Sequence, residues 1–372
     1  MPGHVLITGG AGFIGSHLAD ELLRHGYRVR VLDNLSPQVH GPDAQRPGYL
    51  ADDVELIVGD VRDPGAVRKA LHGIDAVYHF ASVVGVGQSM YEIVRYTDVN
   101  NRGTAVVLEA LVEHPVGKLV VASSMSIYGE GLYRGADGAE IECVERSRDQ
   151  FARGEWEPRG PDGEAVTPAP TPESKRPVLA SVYALSKYDQ ERLCLMIGDA
   201  YNIPAAALRF FNVYGTRQAL SNPYTGVLAI FASRLLNDNA PCVFEDGEQR
   251  RDFVSVLDVA RACRLALESD DAIGHAINVG SGNSYSVRDV AHRMATVLGK
   301  EYIEPEITGK YRVGDIRHCF ADISRARGLL GYEPQIDFEA GLSELADWLS
   351  GQSSEDRVDE ARAELAARGL TV

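Results

Sequence analysis

Lysine is scarce in this chain of 372 residues, and tryptophan occurs only twice. Positive charge as a whole is in deficit: 37 Lys and Arg stand against 53 Asp and Glu, a net charge of −16. A protein that coats nucleic-acid phosphates needs a basic footprint, so that class is excluded. Any anionic ligand must be gripped by local cations instead. No apolar run reaches the roughly 18 residues that a membrane span requires, so none is expected. The five cysteines, Cys143, Cys194, Cys242, Cys263 and Cys319, are odd in number and scattered. No two stand close enough to form a CxxC metal pair, so they read as reduced thiols and no metal site is expected. The N-terminus enters "HVLITGG" without a signal-peptide pattern, which predicts a cytoplasmic protein. No internal repeat is visible.

With 45% apolar and 24% charged residues, the chain has the composition of a globular protein with a real core. Up to about residue 125, short β-rich runs ("HVLITG", "YRVRVLDN", "VELIVGD", "DAVYHFAS", "KLVVASS") alternate with helical spacing ("FIGSHLADELLRHG", "PGAVRKALHG", "RGTAVVLEALVEH"). That alternation predicts an α/β fold, a Rossmann-type doubly wound parallel sheet. Residues 133–177 are rich in Gly, Pro and charge, with "GPDG" and "TPAPTPES" as turn signals, and read as an irregular insertion. "YALSKYDQERLCLMIGDAY" then resumes as a helix and "PAAALRFFNVYG" as a sixth strand. The predicted organisation is a nucleotide-binding domain over 1–212, to which 252–275 returns. A smaller interwoven α/β lobe, mainly substrate-binding, spans 213–350, and a charged tail, amphipathic or frayed, covers 351–372.

"LITGGAGFIGSH" follows the first strand and opens the first helix. Gly10, Gly12 and Gly15 fit a dinucleotide fingerprint, with Gly9 beside them. Glycines there permit the tight turn, close approach of backbone N–H groups to a pyrophosphate, and helix-on-strand packing. Asp33 ends the second strand, where a carboxylate accepts from a ribose 2′-OH and repels a 2′-phosphate, favouring NAD over NADP; its plainer reading is a turn former before Asn34. Asp60, after the third strand, could hold the adenine amine or cap the helix near Pro64.

Ser123, Ser124 and Ser126 stand at the C-terminal end of the fifth strand, where open α/β sheets bind ligands. Downstream, Tyr183 precedes Lys187 by four residues. A phenol that must lose its proton near neutrality gains from a neighbouring ammonium. Chance alone supplies such a pair in about one chain of this composition in four. The order is more specific: fingerprint, serine-ended strand, Tyr-x-x-x-Lys helix, then "RFFNVYG" and "RRDFVSVLD". Over about residues 4–348, insertion apart, it resembles the extended short-chain dehydrogenase/reductases, nearest to their NAD-dependent nucleotide-sugar epimerases.

The resemblance implies a homodimer acting on a nucleoside-diphosphate sugar with NAD. Tyr183 would be the acid/base, Ser124 would bind the reacting sugar oxygen, and Lys187 would hold the nicotinamide ribose and depress the phenol pKa. Phe13, Ile14, Asn34, Val61, Phe80, Ala81, Asn100 and Ser123 would join the glycines and the two aspartates around the cofactor. Ser126, Asn212, Asn222, Arg251 and Arg312 would hold the substrate.

Related 4,6-dehydratases and decarboxylases place acidic residues where this chain has Met125 and Ser126, so C4 epimerisation is the expected reaction. A 4-keto-sugar reductase is the alternative among enzymes, and a dinucleotide-sensing protein the alternative outside them. The insertion is similar to that of a dTDP-L-rhamnose 4-epimerase-like branch, whose zinc-like CxxC pairs are replaced here by "GADG" and "GPDG". Ser255 stands where the family has histidine, and Val84 where UDP-galactose epimerases have lysine.

Overall fold

The computed structural model describes residues 3–42, 45–141, 146–219, 226–311, 315–351 and 358–371; Cys143, Asn222 and Arg312 lie outside them. Seven strands form the main sheet: β1 (His4–Thr8), β2 (Arg28–Asp33), β3 (Glu55–Val58), β4 (Ala76–His79), β5 (Lys118–Ser124), β6 (Ala205–Phe210) and β7 (Ala276–Val279). They run parallel in the order β7-β6-β5-β4-β1-β2-β3. The longer helices are α1 (Phe13–Arg24), α2 (Pro64–Leu71), α3 (Gly103–Glu113), α4 (Val182–Tyr201), α5 (Val227–Leu236), α6 (Val256–Glu268), α7 (Val287–Val297), α8 (Phe338–Ser350) and α9 (Val358–Ala367).

Alternate residues of β1 feed two cores. Val5 and Ile7 pack with Leu18, Leu22 and Val259 on the α1/α6 side. Leu6 packs with Val67, Leu108 and Leu111 under α2 and α3. Burial on both faces explains why these strands read as continuous apolar runs. The chain steps from β1 outward to β2 and β3, then crosses back to β4, so the strand order reverses beside β1. A crevice for ligand opens there, above the strand C-termini.

The return expected over 252–275 is present as α6, whose Cys263 carbonyl accepts from the Tyr78 hydroxyl at 2.9 Å. It goes further than the sequence reading allowed. "HAINVG" supplies β7, pairing Ala276–Val279 with Ala207–Phe210, so the main sheet extends past residue 275 into the stretch assigned to the smaller lobe. That lobe centres on α5, α7 and α8, which meet through Phe231, Leu235, Met294, Leu342 and Leu345.

The insertion is more ordered than its composition implied. Leu132–Arg134 pairs antiparallel with Glu140–Ile141 and Thr167–Ala169. Long-range charge pairs compensate for its lack of apolar pattern. Arg317, 1% exposed, binds Glu157 at 2.6 Å, Glu245 at 2.9 Å and Asp246 at 2.6 Å. Arg146 reaches the other oxygen of Glu245 at 2.8 Å. Among the described residues no group of three His, Cys, Asp or Glu side chains is arranged to hold a metal.

Candidate active site

A cavity of about 1010 Å3 runs from the glycine turn, past the ends of β4 and β5, into the smaller lobe. Gly9 sits at φ +70, and a Cβ there would lie 2.8 Å from the Ala81 nitrogen. A Cβ at Gly15 would lie 2.6 Å from Gly10 Cα, so helix and strand close up only without side chains. At Gly12 the nearest neighbour is the Gly9 oxygen at 3.4 Å, and the residue lines the cavity. No side chain caps α1, so its first N–H groups are left for a ligand, an arrangement that suits a pyrophosphate.

Asp33 is buried at the end of β2 and binds the turn itself. Its carboxylate accepts from Ala11 N at 3.0 Å and Leu35 N at 2.9 Å. Each oxygen keeps a lone pair for a ribose hydroxyl on the cavity side. Asp60 also lines the cavity, gripped by the Arg62 fork at 2.7 and 2.9 Å and by Asn34 at 3.2 Å. Arg62 holds its carboxyl down at about 2. The helix cap that Asp60 could have supplied is Asp63, which accepts from Gly65 N at 2.8 Å. Phe13, Ile14, Val61, Phe80 and Ala81 complete this wall.

Asn100 is absent from the wall. It is fully buried on the π-turn Thr97–Arg102, with Val83 N and O at 2.8 and 3.0 Å and the Ser186 hydroxyl at 2.9 Å. Its amide fixes the loop after β4. Ser123 lines the cavity, but its hydroxyl turns inward to Glu191 at 2.6 Å, which Arg209 holds at 2.6 and 2.9 Å.

Ser181 caps α4 through Ala184 N at 3.1 Å and brings Tyr183 and Lys187 onto the cavity, one helical turn apart. The Ser124 hydroxyl lies close enough to the Tyr183 phenol to lower its pKa, and Ser126 donates to Ser124 at 2.9 Å. The expected ammonium–phenol coupling is not the one found. Lys187 Nζ donates to Gln190 Oε1 at 2.8 Å, and burial raises the phenol pKa while only Ser124 opposes it. Burial also lowers Lys187 to about 8.

Behind Lys187 the amide of Gln190 donates to Thr104 at 2.8 Å, Thr104 touches His79 Nε2 at 2.8 Å, and His79 Nδ1 meets Thr8 at 2.9 Å. Thr104 spends its own proton on the Asn100 carbonyl, so His79 Nε2 is the donor to it and Nδ1 the acceptor. Burial and the nearby Lys187 charge keep this imidazole neutral, at about 3. Sequence reading missed Gln190, although its position three residues after Lys187 on one helix was a usable signal.

In the smaller lobe, Arg251 faces the cavity with its guanidinium braced on the carbonyls of Arg317 at 2.8 Å and Ile316 at 2.6 Å. Asn212 lines the same region, and its Oδ1 has no partner among the described residues. Ser255 caps α6 through Leu257 N at 3.2 Å, a structural use for the residue that replaces histidine. Val84, in the lysine position, is a half-exposed part of the rim.

Residues 5–280 match the NAD dependent epimerase/dehydratase family. The chain belongs to that family. The glycine cradle, uncapped helix and Asp33 fit its cofactor, NAD. This epimerase/dehydratase-family protein is 36% identical to the dTDP-L-rhamnose 4-epimerase of Burkholderia thailandensis over 351 residues, 93% of this chain and 94% of the relative. It is 31% identical to a putative UDP-glucose 4-epimerase of Methanocaldococcus jannaschii, covering 94% and 99% of the two chains. Among solved structures, the Thermus thermophilus UDP-glucose 4-epimerase complex with NAD superimposes with a TM-score of 0.73 at 30% identity, over 94% of this chain and all of that one.

Proposed function

We propose that the protein inverts C4 of a nucleoside-diphosphate hexose or deoxyhexose, of dTDP-L-rhamnose or UDP-sugar type. The observation that carries this is the meeting of the Tyr183 phenol and Ser124 hydroxyl beside the glycine turn, with no carboxylate between Ala122 and Ser126. The glycine turn and Asp33 would hold NAD, which would supply the hydride acceptor, and then the donor to the opposite face, at C4. Tyr183 as phenolate takes the C4 hydroxyl proton as the C–H bond breaks, leaving a 4-keto sugar, and gives the proton back on return. Ser124, braced by Ser126, holds the C4 oxygen throughout. Burial opposes ionisation of the phenol, so the positive nicotinamide ring and a freed Lys187 ammonium must supply the opposing stabilisation. Arg251 and Asn212 grip the diphosphate and sugar.

We also propose a cytoplasmic homodimer, the cytoplasm being where nucleotide sugars and NAD are shared. Leu185 and Met196 on α4 are 53% and 56% exposed, and Ile93 and Val94 lie near its start at 52% and 82%, an apolar surface that a second copy would cover. In the single chain, no described helix is long and apolar enough to cross a membrane.

Incubating a panel of dTDP-, UDP- and GDP-sugars with the protein and following products by NMR tests the reaction. Epimerisation proceeds without added cofactor and without net reduction of nicotinamide. Stoichiometric consumption of NAD(P)H would instead establish the 4-keto-sugar reductase, and loss of water or CO2 would establish a dehydratase or decarboxylase.

A further inference from the structure

The charged tail ends in α9, and α9 does not lie on the outside of the molecule as a solvated appendage. It bridges the two lobes. On the substrate side, Asp359 binds Arg234 of α5 at 2.8 Å, and Arg362 Nη1 donates to Cys242 Sγ at 2.8 Å with Glu306 at 3.7 Å. On the cofactor side, the Tyr91 hydroxyl donates to Glu364 at 3.1 Å, and Arg368 stacks over the Tyr91 ring at 4.2 Å. Between these anchors Leu365 is buried, so close to Gly87 that a Cβ added there would meet it at 3.3 Å. Arg362, Leu365 and Leu370 line the same cavity as the glycine turn and Tyr183.

We propose that α9 is the outer wall of the nucleotide-sugar site and that Arg362 is a phosphate-binding residue within it. This rests on the nucleotide-sugar reading above and adds a binding element to it. Two observations carry it. Arg362 places a cation on the cavity from a segment otherwise docked by both lobes, and its Nε and Nη2 have no hydrogen-bond partner among the described residues. In a chain of net charge −16 a diphosphate must be met by such local cations, and Arg251 already spends donors on backbone carbonyls. Leu365 and Leu370 add an apolar lining that excludes water from the site, where a reactive ketone would otherwise be hydrated or lost.

The test is a calorimetric titration of the full-length protein and its Arg362→Ala variant with UDP, dTDP and the parent nucleosides. UDP or dTDP, whichever binds the unaltered protein more tightly, should bind the variant about tenfold more weakly, while nucleoside affinity stays unchanged. Equal loss for nucleoside and diphosphate would mean that Arg362 only supports the fold, and unchanged diphosphate affinity would remove it from the site; either result overturns the proposal. Hydrogen exchange on the unaltered protein gives a second measure that needs no variant. Amides of residues 358–367 should gain protection when the diphosphate is added, and equal exchange with and without it also overturns the wall. Failure of every sugar nucleotide to turn over would overturn the epimerase reading alone, because the diphosphate titration and the exchange measurement do not depend on turnover.

Discussion

The cofactor half and the substrate half of this molecule are held together in different ways. In the cofactor half key site residues sit at strand ends or a helix start: Gly9 after β1, Asp33 closing β2, Ser124 closing β5, Tyr183 in the first turn of α4. Parallel strands buried on both faces fix those positions. In the substrate half, position depends on charges drawn from distant segments. Arg317 collects Glu157, Glu245 and Asp246, separated from it by 160, 72 and 71 residues. One half is built by local pattern and the other by pairing at a distance. Changes in the first should therefore cost chemistry, and changes in the second should cost order.

The largest expected effect lies in the cofactor half. Tyr183→Phe removes the only ionisable proton on that ring and should lower kcat by about 10³-fold, within the range for loss of a general acid/base. Melting temperature and NAD retention should match the unaltered protein. Turnover within tenfold of normal would show that the proton is carried elsewhere, and the division between the halves would lose its clearest case.

The corresponding break in the substrate half is Arg317→Met. It leaves Asp246 without its guanidinium and Glu245, 2% exposed, with Arg146 as its one remaining cation among the described residues, and removing one partner of a buried charge cluster costs about 3–5 kcal/mol. Chemical denaturation should show that loss, while NAD stays bound up to the lowered midpoint. A loss below about 1 kcal/mol would mean the cluster behaves as a surface network, on which exposed pairs contribute little.

The same division decides what could be read before the fold was known. Strand–helix alternation, the glycine turn, Asp33 and the Tyr183–Lys187 spacing are short-range signals, so the sheet and one side of the cavity were legible. The membership of β7 in the main sheet was not legible, because four residues, Ala276–Val279, carry no mark of the sheet they join. The ordering of the insertion and the docking of α9 depend on partners more than a hundred residues away, such as Glu157 for Arg317 and Arg234 for Asp359. No local pattern encodes such partners.

Acid sensitivity separates two buried groups of opposite sign. His79, buried behind β4, titrates at about 3 in the folded protein against 6.5 when free. The unfolded chain thus binds more protons between those values, and stability rises with pH across that window and is lost as pH falls through it. Asp252, buried where it accepts from Ser281 N and Gly282 N, has the opposite sign. Burial raises it to about 6 from 3.8, so its contribution falls as pH rises between about 4 and 6. His79→Gln should flatten the acid side of the stability curve measured by urea denaturation, and Asp252→Asn should steepen it. If both variants keep the unaltered slope, neither group controls acid stability.

The smallest expected effect concerns the contact that sequence reading missed. Lys187 is already lowered to about 8 by burial, and Gln190 Oε1 is the acceptor found for its ammonium among the described residues. Gln190→Leu removes that acceptor, so the neutral amine is favoured and the Lys187 pKa falls further. Where the ammonium is needed beside the nicotinamide ribose, activity is lost as pH rises through that value. The alkaline limb of kcat/KM should therefore move to lower pH by less than about one unit, with kcat on the plateau little changed. A Gln190→Glu variant should move the same limb upward, because a carboxylate favours the charged lysine. Opposite displacements by two substitutions at one buried position are hard to produce by loosened packing, which would depress both variants alike. If both limbs stay where they were, Lys187 leaves Gln190 before the step that the profile reports, and the buried chain to Thr104 and His79 serves the apo protein alone.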